Sequence, residues 1–382
     1  MVLQTLQLHN FRNHQSTSLE FGQGINALLG ENGEGKTNIL EAISFLCLTK
    51  SFYASGDALV VRIGAPQFEI DGTMSLAGGS VLNVRVAYSA ESHEKVFSIN
   101  KRRVEPFSSV IGKFPIVVCS PEHGPITSGG PSERRRFMDF VISQSNALYF
   151  QELLEYRKIL KHRGKILADA RSSRSDAEEA LAPWDEQLIR HGSAITLKRQ
   201  EFVNEFQDFI MSAYHHLVGT GEEPGIEYEP SVELVPGATE SDHREKFRLE
   251  LKSLRGEEIR FGSTLLGPHR DELALRVNGL ELRKYASQGQ HKTFLVALKI
   301  GEFFYLRDRC SEPPILLLDD IFSELDGQRA DQLLRFTGEL SQTFITSTNA
   351  HLFDDVSTSR GEPRRFTINE GAVVEDHAAV TR

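Results

Sequence analysis

Short alternating apolar stretches open the chain and predict β-strands ahead of a helix. Leucines recur every two or three positions from residue 3 to residue 8, and further apolar runs follow at 19–21 and 25–29. Such alternation is typical of half-buried strands. The last run leads into a glycine-rich turn, and an apolar segment with helical character follows at 38–48. This order of strand, loop and helix is the setting that a phosphate-binding loop requires.

Beyond this opening, β-rich and helical segments alternate. Residues 59–118 have the pattern of strands, whereas apolar side chains recur with helical spacing from Ser132, a predicted helix cap, to about residue 217. A polar stretch at 168–179 divides the helical region, which we interpret as an antiparallel arm inserted into an α/β head. Residues 219–243 are rich in glycine, proline and acids and are interpreted as a linker.

The strand pattern returns after residue 261. Alternating apolar residues at 273–277 precede Asn278 and Gly279. This dipeptide predicts a hairpin, because it readily supplies the two positive φ angles of a type I′ turn. A helix, a strand and a second helix are predicted to follow.

A complete phosphate-binding sequence occupies the turn after the third strand. Its glycines let backbone N–H groups point toward a β-phosphate, and the next helix adds its positive end. Lys36 is placed to reach the β- and γ-phosphates, and the Thr37 hydroxyl to bind Mg²⁺. The residues predicted to bind nucleotide here are Gly30, Glu31, Asn32, Gly33, Glu34, Gly35, Lys36, Thr37 and Asn38. The predicted cofactors are ATP and Mg²⁺.

A second motif, at 315–320, consists of four apolar residues followed by two aspartates. It predicts a strand buried on both faces. At its end, Asp319 would hold Mg²⁺, directly or through water, and Asp320 would orient or deprotonate the attacking water. The predicted catalytic residues are Lys36, Asp319 and Asp320, and the predicted metal ligands are Thr37 and Asp319. The alternative is an ordinary buried strand that ends in a helix cap.

A third motif separates the subclasses of P-loop protein. More chain lies between Lys36 and Asp319 than a compact kinase or GTPase needs, and residues 286–290 resemble the LSGGQ signature of ABC-type heads. The signature stands at a predicted helix start, which suits a γ-phosphate. Residues 323–326 resemble the D-loop of the same proteins. The predicted signature contacts are Ser287, Gln288, Gly289 and Gln290.

Together the motifs predict an α/β fold, an ABC/SMC-type P-loop ATPase head with an inserted α-helical arm domain. The head is expected at 1–125, with Walker A, and at 261–382, with the signature motif and Walker B; the arm is expected at 126–260. Three alternatives stay open. They are an ABC ATPase that drives a membrane or protein partner, a metabolic P-loop kinase, and an SMC-like protein with long coiled coils.

Charge restricts how such a protein could bind nucleic acid. With 43 Lys and Arg against 53 Asp and Glu, the net charge of −10 excludes coating of DNA over the whole surface, so binding needs a local basic patch. Basic residues outnumber acids at 151–174, which is either a DNA-contacting arm or a solvated helical face. The candidate DNA-binding residues are Arg157, Lys158, Lys161, Arg163 and Lys165. The three arginines at 134–136 cannot share one helix face, and at least one is expected to pair with an acid.

Cysteine usage and hydropathy bear on the compartment. The three cysteines are far apart and form no metal-binding cluster, which favours reduced thiols. The first residues lack a secretory pattern, and no apolar run is long enough to span a membrane. We therefore expect a cytoplasmic protein with no membrane partner.

The motifs in combination resemble the bacterial RecF family of recombination mediator ATPases. The matching stretches are 8–13, the phosphate loop with 38–42, 120–122, 130–136, 267–271, 286–292 and 316–326. The resemblance implies an ATP-dependent homodimer that binds double-stranded DNA and single-strand gap junctions and assists RecA loading with RecR and RecO. It also implies a slow DNA-dependent ATPase, in which residues 287–290 act on the nucleotide of the other subunit.

Three positions stay open under this resemblance. Tyr53 lies where RecF proteins often carry an arginine, and it either stacks on adenine or has no role. Asn349 and His351 both follow the strand predicted at 343–346, and each is a candidate for the switch residue. The segment 120–122 occupies the expected place of the glutamine loop, although it contains no glutamine.

Overall fold

The computed structural model describes residues 1–173, 178–235, 237–324, 327–354 and 356–377. In these ranges the strands are β1 (Val2–Phe11), β2 (His14–Glu20), β3 (Ile25–Leu29), β4 (Gln67–Ser75), β5 (Val81–Ser89), β6 (Lys95–Ile99), β7 (Arg102–Arg103), β8 (Ile116–Cys119), β9 (Pro224–Glu229), β10 (Glu272–Val277), β11 (Leu280–Glu281), β12 (Ile315–Asp319), β13 (Thr343–Ser347), β14 (Arg364–Asn369) and β15 (Ala372–His377). The helices are α1 (Lys36–Leu48), α2 (Pro125–Ser128), α3 (Pro131–Ser145), α4 (Ala147–Ser173), α5 (Glu178–Val218), α6 (Glu240–Ser253), α7 (Arg255–Phe261), α8 (Leu282–Tyr285), α9 (Gln288–Arg309) and α10 (Gly327–Leu340).

The chain forms two compact units, one made of Met1–Gly124 with Leu295–Arg382 and the other of Pro125–Phe294. The second unit extends beyond the predicted arm end at residue 260. The reason is that β10 pairs along its whole length with β9, which draws the following segment into the same unit. The assignment of the sequence ranges to head and arm stays a prediction.

A largely parallel sheet of six strands, in the order β15-β14-β3-β13-β12-β8, forms the centre of the first unit. Every residue of β3, β12 and β13 is buried, as is typical of parallel strands at the centre of a sheet. The strands β8, β12, β13, β3 and β14 run parallel. Their carboxyl ends therefore meet at one edge of the sheet, which is where ligands bind in open α/β folds.

A second sheet of the first unit, in the order β2-β1-β4-β5-β6-β7, is joined to helix α1 by an aromatic cluster. Phe45 of α1 packs edge-on against Phe11 of β1 and Phe68 of β4, with ring centroids 5.8 Å and 5.5 Å away. Phe11 and Phe68 are themselves 5.4 Å apart, and all three side chains are fully buried. Edge-on rings add to the burial energy, so the cluster fixes the helix that follows the phosphate loop.

The second unit combines the helices α3, α4 and α5 with the three-stranded sheet β11-β10-β9. The predicted helical region is confirmed, and the Asn278–Gly279 hairpin is confirmed by φ angles of 52° and 77°. The Ser132 cap is wrong, because α3 begins one residue earlier at Pro131, with Gly130 as its cap. The linker at 219–243 is also wrong, since it contains β9 and the first turn of α6.

None of the helices in the described ranges is long and apolar enough to cross a membrane.

Candidate nucleotide site

The phosphate loop connects the buried strand β3 to helix α1 through three glycines with positive φ. Gly30, Gly33 and Gly35 have φ angles of 148°, 89° and 108°. A Cβ atom at Gly30 would lie 2.4 Å from the backbone oxygen of Ile368, and one at Gly35 would lie 2.5 Å from Oδ1 of Asn13. Only glycine fits at these two positions, because both the backbone angle and the space exclude a side chain.

Residues distant in sequence brace this loop from outside. Nδ2 of Asn13 and the N–H of Gly371 donate to the Glu34 carbonyl oxygen, at 3.0 Å and 2.9 Å. Nε2 of His14 donates to the Gly35 carbonyl oxygen at 3.1 Å, and burial lowers the pKa of this imidazole. Asn38 also donates to Oδ1 of Asn13 at 2.7 Å. The loop motif does not predict these contacts. The polar Asn13–His14 turn is the one signal of them in the sequence.

Lys36, the first residue of α1, lies folded over the loop. Its Nζ donates to the carbonyl oxygens of Gly30 and Glu31, each at 2.7 Å, and the residue is only 8% exposed. Burial lowers the pKa of the ammonium, whereas the negative charges of Asp320 and Asp319 raise it. The predicted lysine is therefore held at the centre of the loop, facing the two predicted acids.

The end of β12 brings Asp319 to the start of α1. The hydroxyls of Thr37 and Thr346 both donate to Oδ1 of Asp319, each at 2.8 Å. Burial raises the pKa of this carboxyl, while the two hydroxyl donors lower it. A hydroxyl and a carboxylate are the hard oxygen ligands that Mg²⁺ prefers. The pair of residues predicted as metal ligands is thus in direct contact and fits the ion chemically.

Asp320 has a left-handed backbone conformation directly after the strand. Its φ is 51°, a region that Asp and Asn occupy more readily than most residues. The N–H of Asp320 donates to the Thr346 hydroxyl at 2.9 Å, so the same threonine ties both aspartates to β13. Asp320 is half-buried at the sheet edge, where the sequence places the residue that acts on water.

The signature sequence forms the start of α9 in the second unit. The N–H of Gln290 donates to the Ser287 hydroxyl at 3.2 Å, and the N–H of Ser287 donates to Oε1 of Gln290 at 2.9 Å. Nε2 of Gln290 donates to Oε1 of Glu222 at 2.9 Å, and the Tyr214 hydroxyl donates to the other oxygen of Glu222. Ser287, Gln288 and Gly289 are exposed. The sequence placed Glu222 in a linker, so this connection to α5 was missed.

Two of the positions left open by the sequence lie in turns, one after β13 and one after β8. Asn349 and His351 both lie exposed beyond β13; Oδ1 of Asn349 accepts from the N–H of His351, and Nδ1 of His351 lies 2.9 Å from Asp354. The N–H of Ser120 donates to Nδ1 of His123 at 3.2 Å, in a turn that follows β8. The D-loop prediction falls partly on residues 325 and 326, outside the described ranges.

Tyr53 lies beside an arginine from the turn between β1 and β2. The ring is 57% exposed, and the guanidinium carbon of Arg12 is 5.9 Å from its centroid. Arg12 also forms a bidentate pair with Glu41 of α1, at 2.8 Å and 2.9 Å. Although residue 53 itself is not an arginine, a guanidinium therefore lies next to it on the flank of α1.

The basic run on α4 separates into exposed residues and one buried residue. Arg157, Lys158, Lys161 and Lys165 are exposed, and Lys158 pairs with Glu155 at 2.7 Å. Arg163 is fully buried, so its assignment as a DNA-binding candidate is wrong. It faces the interior because it continues the buried stripe of residues 156, 159, 167 and 170 along the helix. The run ends at residue 174, which is outside the described ranges.

Removal of Arg163 is expected to destabilise the second unit by about 3 kcal/mol, because the fully buried Glu258 would lose its two contacts with this guanidinium and keep the one with Arg255 at 3.2 Å. Arg163 lies 2.9 Å from Asp185 and 2.9 Å from Glu258, which is itself fully buried, and it also donates to the Thr264 hydroxyl. Urea unfolding of Arg163→Ala measures this loss. The exposed Lys161→Ala on the same helix is the control, and equal midpoints for the two variants would contradict a structural role.

The structure brings together two of the three predicted motifs, the phosphate loop and the strand that leads to the two aspartates. Lys36, Thr37, Asp319 and Asp320 lie together in the first unit, with the glycine loop around them. The residues of the third motif, the signature, lie in the second unit.

The arginines at 134–136 behave as expected, because Arg134 forms a bidentate pair with Glu272 at 2.8 Å and 2.7 Å.

A family model described as "RecF/RecN/SMC N terminal domain" matches residues 2–362, nearly the whole chain. Together with the phosphate loop, and with the buried strand that ends at Asp319 and is followed by Asp320, this match defines the chain as a P-loop ATPase head of the ABC and SMC type. The predicted fold class is thereby confirmed.

Individual relatives make the assignment more specific. The "DNA replication and repair protein RecF" of Salinibacter ruber (strain DSM 13855 / M31) is 41% identical over 358 residues, covering 93% of this chain and 86% of the relative. The protein of the same name from Chloroherpeton thalassium (strain ATCC 35110 / GB-78) is 41% identical over 359 residues, covering 93% and 97%. The chain belongs to the RecF family, and its role lies in DNA replication and repair.

Solved structures agree with this assignment. The recombination mediator protein RecF of the RecFOR pathway, solved as RecF-ATPrS, is 31% identical with a TM-score of 0.89, covering 99% of this chain and 98% of the solved chain. RecF-ATP gives the same identity and TM-score, with 98% and 97% covered. An SMC head bound to the C-winged helix domain of ScpA, 14% identical with a TM-score of 0.55, shares the fold alone.

Proposed function

We propose that the chain binds ATP and Mg²⁺ at the phosphate loop, hydrolyses ATP slowly and forms an ATP-dependent homodimer that binds DNA. The observation that carries the proposal is the contact of Thr37 with Asp319 at 2.8 Å, beside the buried Lys36. The contact unites the two halves of a phosphate and metal site from opposite ends of the sequence. The relatives solved with ATP and ATPrS support the choice of nucleotide.

Within this site, each residue has a proposed part. Backbone N–H groups of 30–35 and the Lys36 ammonium would hold the β- and γ-phosphates, and Thr37 and Asp319 would hold Mg²⁺. When bound, Mg²⁺ supplies neutralisation of the phosphate charge. Asp320 would orient the attacking water. Its side chain is one methylene shorter than the glutamate usual in ABC ATPases, which favours slow turnover.

The signature would act on the nucleotide of a second copy. Ser287 and Gly289 are exposed at a helix start, where a hydroxyl and the backbone N–H groups of the first turn suit an anion. The capping contacts of Gln290 hold this helix start in one arrangement. Two copies joined head to tail would therefore enclose two nucleotides, each between a phosphate loop and a signature.

DNA binding would follow from dimerisation. A net charge of −10 opposes association with DNA at long range, so one copy offers only local basic patches such as the α4 candidates. Joining two copies makes binding of the second patch intramolecular, which can raise affinity roughly 100-fold or more. We propose double-stranded DNA and single-strand gap junctions as ligands, and RecR, RecO and RecA as partners in the cytoplasm.

ATP is expected to convert the monomer to a dimer that binds gapped DNA more tightly than the protein alone or with ADP, because the signature requires the γ-phosphate. Sedimentation velocity with labelled DNA under the three nucleotide conditions measures both events. Ser287→Arg should remain monomeric by steric exclusion and keep its ATP affinity, with Ser92→Arg, in an exposed turn, as the control. Equal sedimentation and DNA affinity with ATP, ADP and no nucleotide would contradict the proposal.

A further inference from the structure

A pocket of about 200 Å³ opens beside the start of α3 in the second unit. Four arginines line it, Arg135, Arg136, Arg157 and Arg199, together with a single carboxylate, Asp139. Its other lining groups are uncharged or apolar apart from His269, whose pKa burial lowers to about 4. At neutral pH the imidazole is therefore uncharged. The side chains that line the pocket carry four guanidinium groups and one carboxylate, and Asp271 and Glu133 outside the lining pair with Arg199 and Arg136.

The floor of the pocket is a rigid ion-pair network. Arg199 is 2% exposed, and it donates to Oδ1 of Asp139 at 2.8 Å, to Oδ2 of Asp271 at 3.3 Å and to the Pro268 carbonyl oxygen at 2.6 Å. The Tyr149 hydroxyl donates to the same Oδ1 of Asp139 at 2.5 Å. The acids beneath the pocket are thus already engaged by buried donors, which limits how far they neutralise the rim.

The rim arginines have few carboxylate partners of their own. Arg135 donates to the backbone oxygen of Asp271 at 2.6 Å, and burial together with the charge of Arg199 lowers its pKa. Arg157 is 57% exposed and lies 3.5 Å from Oδ2 of Asp139, whose other oxygen accepts from Arg199. Arg136 is 73% exposed and forms an ion pair with Glu133, one turn earlier on the same helix, at 2.9 Å. Several guanidinium groups are therefore held around a concave space by the backbone and the buried network.

We propose that this pocket binds a phosphate group, and that in the DNA complex it holds a phosphate of the DNA backbone. Arginine forks match phosphate oxygens, and clustered arginines in a concave site favour an anion with several oxygens. Beyond Arg157, the exposed Lys161 and Lys165 follow at successive turns of α4, roughly 6 Å apart along the axis. A strand anchored in the pocket would meet these lysines with its next phosphates.

The DNA part of this inference rests on the proposed function, whereas phosphate binding by the pocket does not. Arginine modification by phenylglyoxal, read by mass spectrometry on the full chain, tests the two separately. Millimolar inorganic phosphate should slow modification of Arg136 and Arg157 several-fold. Arg244 of α6, which also has one intrahelical ion pair, should react at an unchanged rate. If phosphate leaves the modification rates of Arg136 and Arg157 unchanged, the proposal that the pocket binds phosphate is overturned, whether or not DNA binds.

The same footprint with ATP and duplex DNA then decides the source of the phosphate. Protection of Arg136 and Arg157 by DNA supports the backbone contact. If DNA binds while both arginines stay reactive, the contact is overturned and DNA binding stands. If no DNA binds under any nucleotide condition, the proposed function fails, and the proposed contact with the DNA backbone fails with it. Protection by inorganic phosphate still shows whether the pocket binds phosphate.

Salt dependence gives a second measurement that does not rely on reactivity. Arg136→Gln with Arg157→Gln removes two proposed phosphate contacts and should make the salt slope of DNA binding shallower by about 2. The control, Arg244→Gln with Lys252→Gln, removes the same charge from α6 and should leave the slope unchanged. Equal slopes for the two double variants would place the DNA elsewhere.

Discussion

Lys36→Ala is expected to weaken ATP binding by about 3 kcal/mol, or roughly 100-fold, because it removes charge-assisted hydrogen bonds to phosphate. In the structure the Lys36 ammonium donates hydrogen bonds to the carbonyl oxygens of Gly30 and Glu31, at 2.7 Å each. Both oxygens belong to the turn after β3, whereas α1 packs on the second sheet through Phe45, so we expect the variant to fold. Titration calorimetry with ATP measures the loss.

Two controls separate nucleotide binding from folding. Lys113→Ala removes an exposed lysine of the same unit and should bind ATP like the parent chain. Urea unfolding of Lys36→Ala should show a stability close to that of the parent. Wild-type ATP affinity in Lys36→Ala would show that the lysine does not meet the phosphates, and the loop assignment would fail.

Asp320→Asn is expected to lower kcat by roughly 100- to 10,000-fold while ATP still binds, because the amide cannot accept the proton of the attacking water. Asparagine also tolerates the left-handed region, so the backbone at φ 51° and its N–H bond to Thr346 should persist. Turnover would stop with the proposed dimer closed. Phosphate release in single-turnover conditions, with sedimentation of the same samples, measures both effects.

The matched comparison for Asp320 is its glutamate variant. Glutamate restores the length found in most ABC ATPases, but it is less suited to a positive φ. If reach limits turnover, Asp320→Glu should hydrolyse ATP faster than the parent. If the backbone conformation is the reason for aspartate, Asp320→Glu should be less stable and no faster. Undiminished turnover in Asp320→Asn would instead show that a group other than Asp320 activates the attacking water.

The parts of the site that the sequence predicted are local, and the parts that it missed are not. Lys36 and Thr37 follow a complete loop motif, and Asp319 follows four apolar residues, so each is recognisable within a few positions. Asn13 contacts the loop across 21 residues of sequence, and Gly371 contacts it from the opposite end of the chain. No single-sequence pattern indicates such pairing, because it depends on the order of the strands.

Two errors in the second unit have definite physical causes. β9 was missed because Gly225 and the surrounding acids lack strand propensity, and the strand is stabilised by its pairing with β10. Arg163 was assigned to the surface because it is basic, although it lies on the buried stripe of α4. Helical spacing could have revealed this, since Ile159 and Leu167 stand four residues on either side. A charge on an apolar stripe indicates a buried ion pair.

The sheet order has a consequence for synthesis of the chain. β3 carries the phosphate loop, yet both of its neighbours, β13 and β14, belong to the last tenth or so of the sequence. At 5–20 residues per second, the ribosome needs roughly 20–70 s between making the loop and making Gly371, which braces it. During that interval β3 exposes two unpaired edges and an apolar surface. The nascent chain is therefore most exposed to mispairing at the strand that leads to its nucleotide site.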